Sequence, residues 1–350
     1  MSDALIINDI LNAAAERKAT DVHLVAGNNP VIRVDGRLTT LVDQPVLTGD
    51  ILMALAQSFL SKEYFDKLSV EKEIVAIYNW AGRSRYRAKV FYQKGFLAIS
   101  LRLLSPFIRS PKDLGIPAAI LQLLNKDRGI IIITGPFASG RTSTAVSLVE
   151  TLNQNKGLHI QTLENPVEYL FSNNQSVIEQ RNIGLDVNNF VDGLKNMLDE
   201  DIDAVFVDSM HEKGAEEVIL ELAESGKLII FVMDADTVIS ALDRFINNIS
   251  TNRRDWGRET LADVLLGVMA QRLIPRVGGG LTMASEVLIS NSAVRSSIKS
   301  DKLSQLGSIM QTSREEGMSS LDKSLLELIR IGEISLSDGK NHAVDPQSLR

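Results

Sequence analysis

The chain has 350 residues, of which 44% are hydrophobic and 23% charged, and its formal net charge is −7. This is globular composition rather than disorder, the length exceeds what one core comfortably serves, and the acidic balance excludes a surface devoted to nucleic acid. Cysteine is absent, which excludes disulfide frameworks, thiolate zinc sites and cysteine nucleophiles, and fits a reducing cytoplasm.

Met1-Ser-Asp-Ala-Leu has no basic stretch followed by an apolar core, so no signal peptide is expected. Residues 5–15 read as an apolar helix and Asp21-Val-His-Leu as a short alternating strand. Pro30-Val-Ile-Arg-Val-Asp-Gly-Arg-Leu predicts two strands around a tight turn, because Asp35-Gly36 is a hairpin signal. Residues 48–68 are helical in period, and 86–91 and 96–104 read as strands rich in β-branched and aromatic residues. Ser105-Pro-Phe-Ile-Arg-Ser-Pro-Lys-Asp-Leu-Gly is the best linker, with two prolines and a glycine.

Past it the rhythm changes. Apolar runs at 129–134, 160–163, 204–208 and 227–233 alternate with amphipathic helices at 141–153, 189–199 and 214–225. That alternation predicts a parallel sheet covered on both faces. From about Ala262 the chain is expected to be mostly helical, ending in 321–331 and a polar tail. No apolar stretch approaches the roughly 18 residues of a membrane span. The expected division is a domain at 1–104, a linker at 105–115, an α/β domain at 116–285, and a helical C-terminal extension with a tail at 286–350.

Gly129-Ile-Ile-Ile-Ile-Thr-Gly-Pro-Phe-Ala-Ser-Gly-Arg-Thr-Ser-Thr is a strand, a glycine-bounded loop and a helix start. This is the context that G-x-x-x-x-G-K-[ST] requires. Gly135 and Gly140 let the loop Pro136, Phe137, Ala138, Ser139 wrap so that its N–H groups and the helix N-terminus face phosphates. Arg141 occupies the lysine position, Thr142 can offer its hydroxyl to Mg²⁺, and Ser143 closes the motif. ATP and Mg²⁺ are the expected ligands.

The chain resembles the type IV pilus retraction ATPases, the PilT and PilU family of RecA-like motors. Asp21-Val-His-Leu-Val-Ala-Gly, Arg85-Tyr-Arg-Ala-Lys-Val-Phe and Leu101-Arg102 are similar to strands of their N-terminal PAS-like domain. There, the resemblance implies, Arg85, Arg87 and Arg102 reach a neighbouring subunit's nucleotide. Leu163-Glu-Asn-Pro-Val-Glu-Tyr resembles the acidic box, and Ala204-Val-Phe-Val-Asp-Ser-Met-His-Glu the Walker B segment. Gly226-Lys-Leu-Ile-Ile-Phe-Val-Met-Asp stands where a histidine box belongs. Gln271-Arg-Leu-Ile-Pro-Arg, Ala293-Val-Arg-Ser-Ser-Ile-Lys-Ser and Glu316-Gly-Met continue the match, and the tail Ala343-Val-Asp-Pro-Gln-Ser-Leu-Arg resembles PilU more than PilT.

The resemblance implies an α/β fold with a PAS-like domain, a RecA-like P-loop domain and a helical C-terminal extension. It also implies a cytoplasmic hexameric ring, of this chain or beside a competent retraction ATPase, docked on an inner-membrane pilus platform protein. Against the family pattern, Ser209 replaces the Walker B glutamate, Asn165 the acidic-box aspartate, Lys227 and Asp234 the box histidines, and Asp199 an arginine. A neutral hydroxyl is a poor base, so weakened or lost hydrolysis is expected. Glu164, Glu168 and Asp208 survive, so a rearranged catalytic set using Asp208 and Glu164 is the alternative, and a scaffold that binds no nucleotide is a second.

His23, His159, His211 and His342 have no metal-ligand spacing, and His23 is expected to pack or cap near its strand. Arg33 is expected on a solvated or salt-bridged face, and Arg272 and Arg276 at a helix end. Glu216, Glu217, Glu221 and Glu224 are expected to form a solvent-facing stripe, and Met197, Met210, Met233 and Met269 to fill core.

Overall fold

The computed structural model describes residues 3–34, 36–80, 82, 84–209 and 212–349; Asp35 of the expected turn, and Met210 and His211 of the Walker B segment, lie outside the described residues. The chain forms two units, Met1–Phe107 with Pro166–Tyr169, and Ile108–Asn165 with Leu170–Arg350.

The first unit opens with α1 (Asp3–Glu16), β1 (Asp21–Val25), β2 (Val31–Val34) and β3 (Arg37–Thr40). Two helices follow, α2 (Gly49–Phe59) and α3 (Lys62–Glu71), then β4 (Glu73–Trp80), β5 (Ser84–Gln93) and β6 (Phe96–Leu104). The sheet is antiparallel in the order β3-β2-β1-β6-β5-β4. The helical period over 48–68 breaks in two because Leu60 turns extended and the Ser61 hydroxyl caps α3, accepting from the Tyr64 N–H at 3.3 Å. Leu24, Ile32, Leu52, Leu55 and Leu68 are fully buried in this unit's core, each contributing about 1.5–3 kcal/mol. His23 packs as expected, its Nδ1 3.1 Å from the Ser100 hydroxyl.

The second unit begins with α4 (Pro111–Leu114) and α5 (Ala118–Leu123) and then alternates strand and helix, except that β9 follows β8 directly. Its elements are β7 (Gly129–Gly135), α6 (Arg141–Asn155), β8 (His159–Glu164), β9 (Val177–Asn182), α7 (Phe190–Asn196), β10 (Ala204–Val207), α8 (Ala215–Glu224), β11 (Leu228–Asp234) and α9 (Val238–Asn248). α10 (Arg254–Val264), β12 (Leu265–Pro275), β13 (Leu281–Ile289), α11 (Ser292–Lys299), α12 (Leu306–Thr312), α13 (Leu321–Arg330) and α14 (Leu336–His342) complete it. The sheet order is β13-β12-β7-β11-β10-β8-β9, parallel except where β13 runs against β12. β7 is buried at every residue, as a β-branched strand at the centre of a two-face-covered sheet must be. Phe231 and Phe245 meet edge to face at 5.9 Å within the core. Met197, Met233 and Met269 are buried there as expected.

Three expectations are corrected. The chain after Ala262 is not mostly helical: β12 and β13 form a long hairpin around Gly278, Gly279 and Gly280, all at positive φ. β12 is buried against β7 as well as β13 and so lacks the alternation that marks a half-exposed strand. Arg272 and Arg276 are therefore not at a helix end; Arg272 donates to the His342 carbonyl at 2.9 Å and Arg276 pairs with Glu333 at 2.5 Å. Nor is the first half of the acidic stripe of α8 solvent-facing, although Glu224 is exposed as expected. Glu216 and Glu217 are 2% and 9% exposed, because the end of α9 and the segment after it cover them: Asn248 Nδ2 donates to Glu216 at 2.6 Å, while the Ser250 N–H and Arg253 donate to Glu217 at 2.9 Å each.

Candidate functional site

The loop after β7 is built by backbone conformations that few residues tolerate. Gly135 has φ 153°, and a Cβ there would lie 2.3 Å from the Gln271 carbonyl oxygen. Gly140 has φ 86° and begins α6, whose N-terminal N–H groups open toward the loop. Ala138 is held at φ 63°, an uncommon state for a residue with a side chain. Gln271, on β12, props the turn from below: its Nε2 donates to the Ser139 carbonyl at 2.7 Å, with both residues buried. Phe137 is 81% exposed at the crest. Pro136, Phe137, Ala138 and Ser139 line, with Asp236, Arg272, Leu273 and His342, a cavity of about 360 Å³.

Arg141, in the lysine position, does not extend along the loop. Its Nη1 is hydrogen-bonded to Asp234 Oδ1 and donates to the Met233 carbonyl at 2.9 Å, leaving the side chain 10% exposed. Asp234 ends β11 in register with Gly135, so the carboxylate stands at the foot of the loop. Two residues that depart from the family pattern thus satisfy one another. Arg244, from α9, donates to the Asp234 carbonyl at 2.7 Å.

Thr142, one residue on, faces Asp208. The Thr142 hydroxyl lies 3.3 Å from Asp208 Oδ1, which also accepts the Ser209 N–H at 2.8 Å. Hydroxyl and carboxylate oxygens side by side are the hard donors that Mg²⁺ takes. Ser143 follows on the first turn of α6. Glu164 is fully buried and accepts from Thr162 at 2.6 Å and from Gln180 at 3.0 Å. The Leu163–Val207 register of β8 and β10 brings Glu164 and Asp208 to adjacent strand ends. Asn165 and Asp199 are exposed.

In the first unit the arginines fall in a row across four strands. Arg87 stands opposite Arg102, Arg102 opposite Asp21, and Asp21 opposite Arg33. Arg102 Nε donates to Asp21 at 2.9 Å, while Arg33 is 4.0 Å from the same carboxylate and donates to the Gly36 carbonyl at 2.8 Å, which puts Arg33 on the salt-bridged face expected of it. Burial acts to raise the Asp21 carboxyl, but hydrogen bonds from Arg102 and Thr20 outweigh it and hold the group below the ordinary value. Arg87 donates to Glu168 Oε1 at 2.9 Å, and Arg85 to the carbonyls of Glu168 and Val167 at 2.9 and 3.2 Å.

Sequence reasoning missed Gln271 as the prop, because the segment around it was not read as a strand at all. It named Asp234 only as a replacement; nothing in linear spacing links it to Arg141, which lies on a neighbouring strand–loop unit.

Comparison with known proteins agrees with this architecture. Residues 97–329 match the family model described as type II/IV secretion system protein. The chain is 28% identical to the type IV pilus retraction ATPase PilT of Pseudomonas aeruginosa over 98% of this chain and 99% of that protein. It is 26% identical to the type IV pilus ATPase PilU of the same organism over 97% of this chain and 89% of that one. A crystal structure of the pilus retraction motor PilT with bound ADP superposes with a TM-score of 0.87 at 36% identity, covering 97% of this chain and 98% of that one. The fold is accordingly α/β, an N-terminal domain followed by a RecA-like ATPase domain. This chain belongs to the type II/IV secretion system protein family, as a PilT/PilU-like secretion ATPase.

Proposed function

We propose that the chain is a motor subunit of a type IV pilus retraction apparatus that binds ATP with Mg²⁺ and has lost most or all of its hydrolysis, serving as an accessory or regulatory subunit. The observation that carries this is Ser209. It follows Asp208 at the end of β10, where the family pattern has a carboxylate to polarise water, and it offers only a neutral hydroxyl. Family likeness supports the rest of the reading: a cytoplasmic hexameric ring, formed with itself or with a competent retraction ATPase, on an inner-membrane pilus platform protein. Among the described residues no helix is long and apolar enough to cross a membrane.

The residues present fit a nucleotide. The glycine-bounded loop and the N-terminus of α6 offer backbone donors to phosphates, and Thr142 beside Asp208 suits the metal. When bound, Mg²⁺ neutralises charge on the phosphate oxygens. Arg85, Arg87 and Arg102 are the candidates to reach a neighbouring subunit's nucleotide.

Phosphate release from the purified chain tests this. The expected result is release at background with Mg-ATP, and a gain when Ser209→Glu restores the carboxylate. Robust Mg²⁺-dependent turnover that Ser209→Ala abolishes would overturn it. The alternative, a rearranged site using Asp208 and Glu164, rests on their adjacent strand ends; it predicts turnover in the wild type that Asp208→Asn or Glu164→Gln removes.

A further inference from the structure

Resting on the nucleotide-binding reading above, we infer that the Arg141–Asp234 pair makes this loop a diphosphate site, holding a nucleoside diphosphate more tightly than a triphosphate. In a phosphate loop the backbone N–H groups cradle the α- and β-phosphates, and the cation in the lysine position reaches the β- and γ-phosphates. Here the backbone half of that division is built. Gly135 and Gly140 adopt the positive φ values the wrap needs, and Gln271 holds it through Ser139. The cationic half is withdrawn: Arg141 is bonded to Asp234 and to the Met233 carbonyl and is 10% exposed.

The consequences fall most heavily on the third phosphate, because the β-phosphate keeps its backbone donors. A γ-phosphate adds negative charge at a place where the loop's own cation is already neutralised by a carboxylate. Drawing Arg141 across to it strands Asp234, 34% exposed on its side chain, beside the incoming anion. Separating a largely buried pair leaves an uncompensated charge and is costly. Two other arginines of this corner are also turned to protein oxygens, Arg244 to the Asp234 carbonyl and Arg272 to the His342 carbonyl. The α- and β-phosphates depend less on these side chains, because backbone amides cradle both.

Calorimetric titration of the full chain with Mg-ADP and Mg-ATP decides the matter. The wild type should bind ADP at least fivefold more tightly than ATP. In Asp234→Asn the arginine is released, and ATP affinity should rise tenfold or more while ADP affinity changes less than threefold. Wild-type binding that favours ATP, or an unchanged ratio in Asp234→Asn, overturns the inference and leaves the nucleotide reading standing. If neither protein binds either nucleotide, both fall together. The wild-type ratio needs no variant, so a poorly folding Asp234→Asn does not shelter the idea.

Discussion

Gln271 Nε2 donates to the Ser139 carbonyl at 2.7 Å, with both residues buried, across a gap of 132 positions in the chain. Breaking a buried hydrogen bond so that one partner stays unsatisfied costs about 1–3 kcal/mol. Gln271→Leu should therefore lower the melting temperature by several degrees and weaken nucleotide binding together, whereas a strand residue with no role in the loop would move only the first. Differential scanning calorimetry and nucleotide titration on one preparation separate the two outcomes.

The Glu216 carboxyl is pushed up by burial, which outweighs its hydrogen bond from Asn248. A raised folded value means the group's contribution is complete below its ordinary value of 4.5 and is lost as pH climbs through the folded one. Relative to the wild type, Glu216→Gln should thus gain stability as pH rises above 4.5, until the folded carboxyl has ionised. A melting-temperature difference that stays flat across that range contradicts the burial effect.

Asp21 behaves in the opposite sense. Its depressed value means stability is present above the ordinary 3.8 and drains away as pH falls through the folded value. The side chain is nearly covered while Arg102 is half exposed, so the ion pair itself is worth only about 0–1 kcal/mol. Asp21→Asn should lower stability near neutral pH, and urea midpoints of the two proteins should converge as pH falls from 3.8 through the folded value.

Arg253 joins Glu217 and Glu221 at 2.9 and 2.8 Å and lies 4.0 Å over the Trp256 ring. A planar fork that bonds two carboxylates while stacking on an indole has no lysine equivalent. Arg253→Lys should cost about 1–2 kcal/mol in chemical denaturation, given charge-assisted bonds near that strength and a stacking contribution of about 0.5–1 kcal/mol. The change should also shift the tryptophan emission.

The parallel half of the sheet was legible because β7, β10 and β11 are continuous apolar runs with glycine punctuation, and the phosphate loop because Gly135 and Gly140 bracket it at the required spacing. β12 opens on an apolar run but is broken by Gln271 and Arg272, and it sits beyond the last βα repeat with an antiparallel neighbour. Gly278-Gly279-Gly280 is the local mark of the turn between β12 and β13. The burial of Glu216 and Glu217 was invisible for another reason: what covers them, Asn248 to Arg253, arrives from a later segment. The Arg141–Asp234 bond was out of reach similarly, since each residue looks like an isolated departure until the strands are laid side by side.

Gln271 and Arg272 are successive residues of one strand and so face opposite ways. The first holds the phosphate loop, and the second is tied to the last residue of α14 through the His342 carbonyl. β12 thereby joins the phosphate loop to α14. The strand that holds the phosphate loop through Gln271 is thus the strand that anchors α14 through Arg272, so the two ends of the second unit share one support.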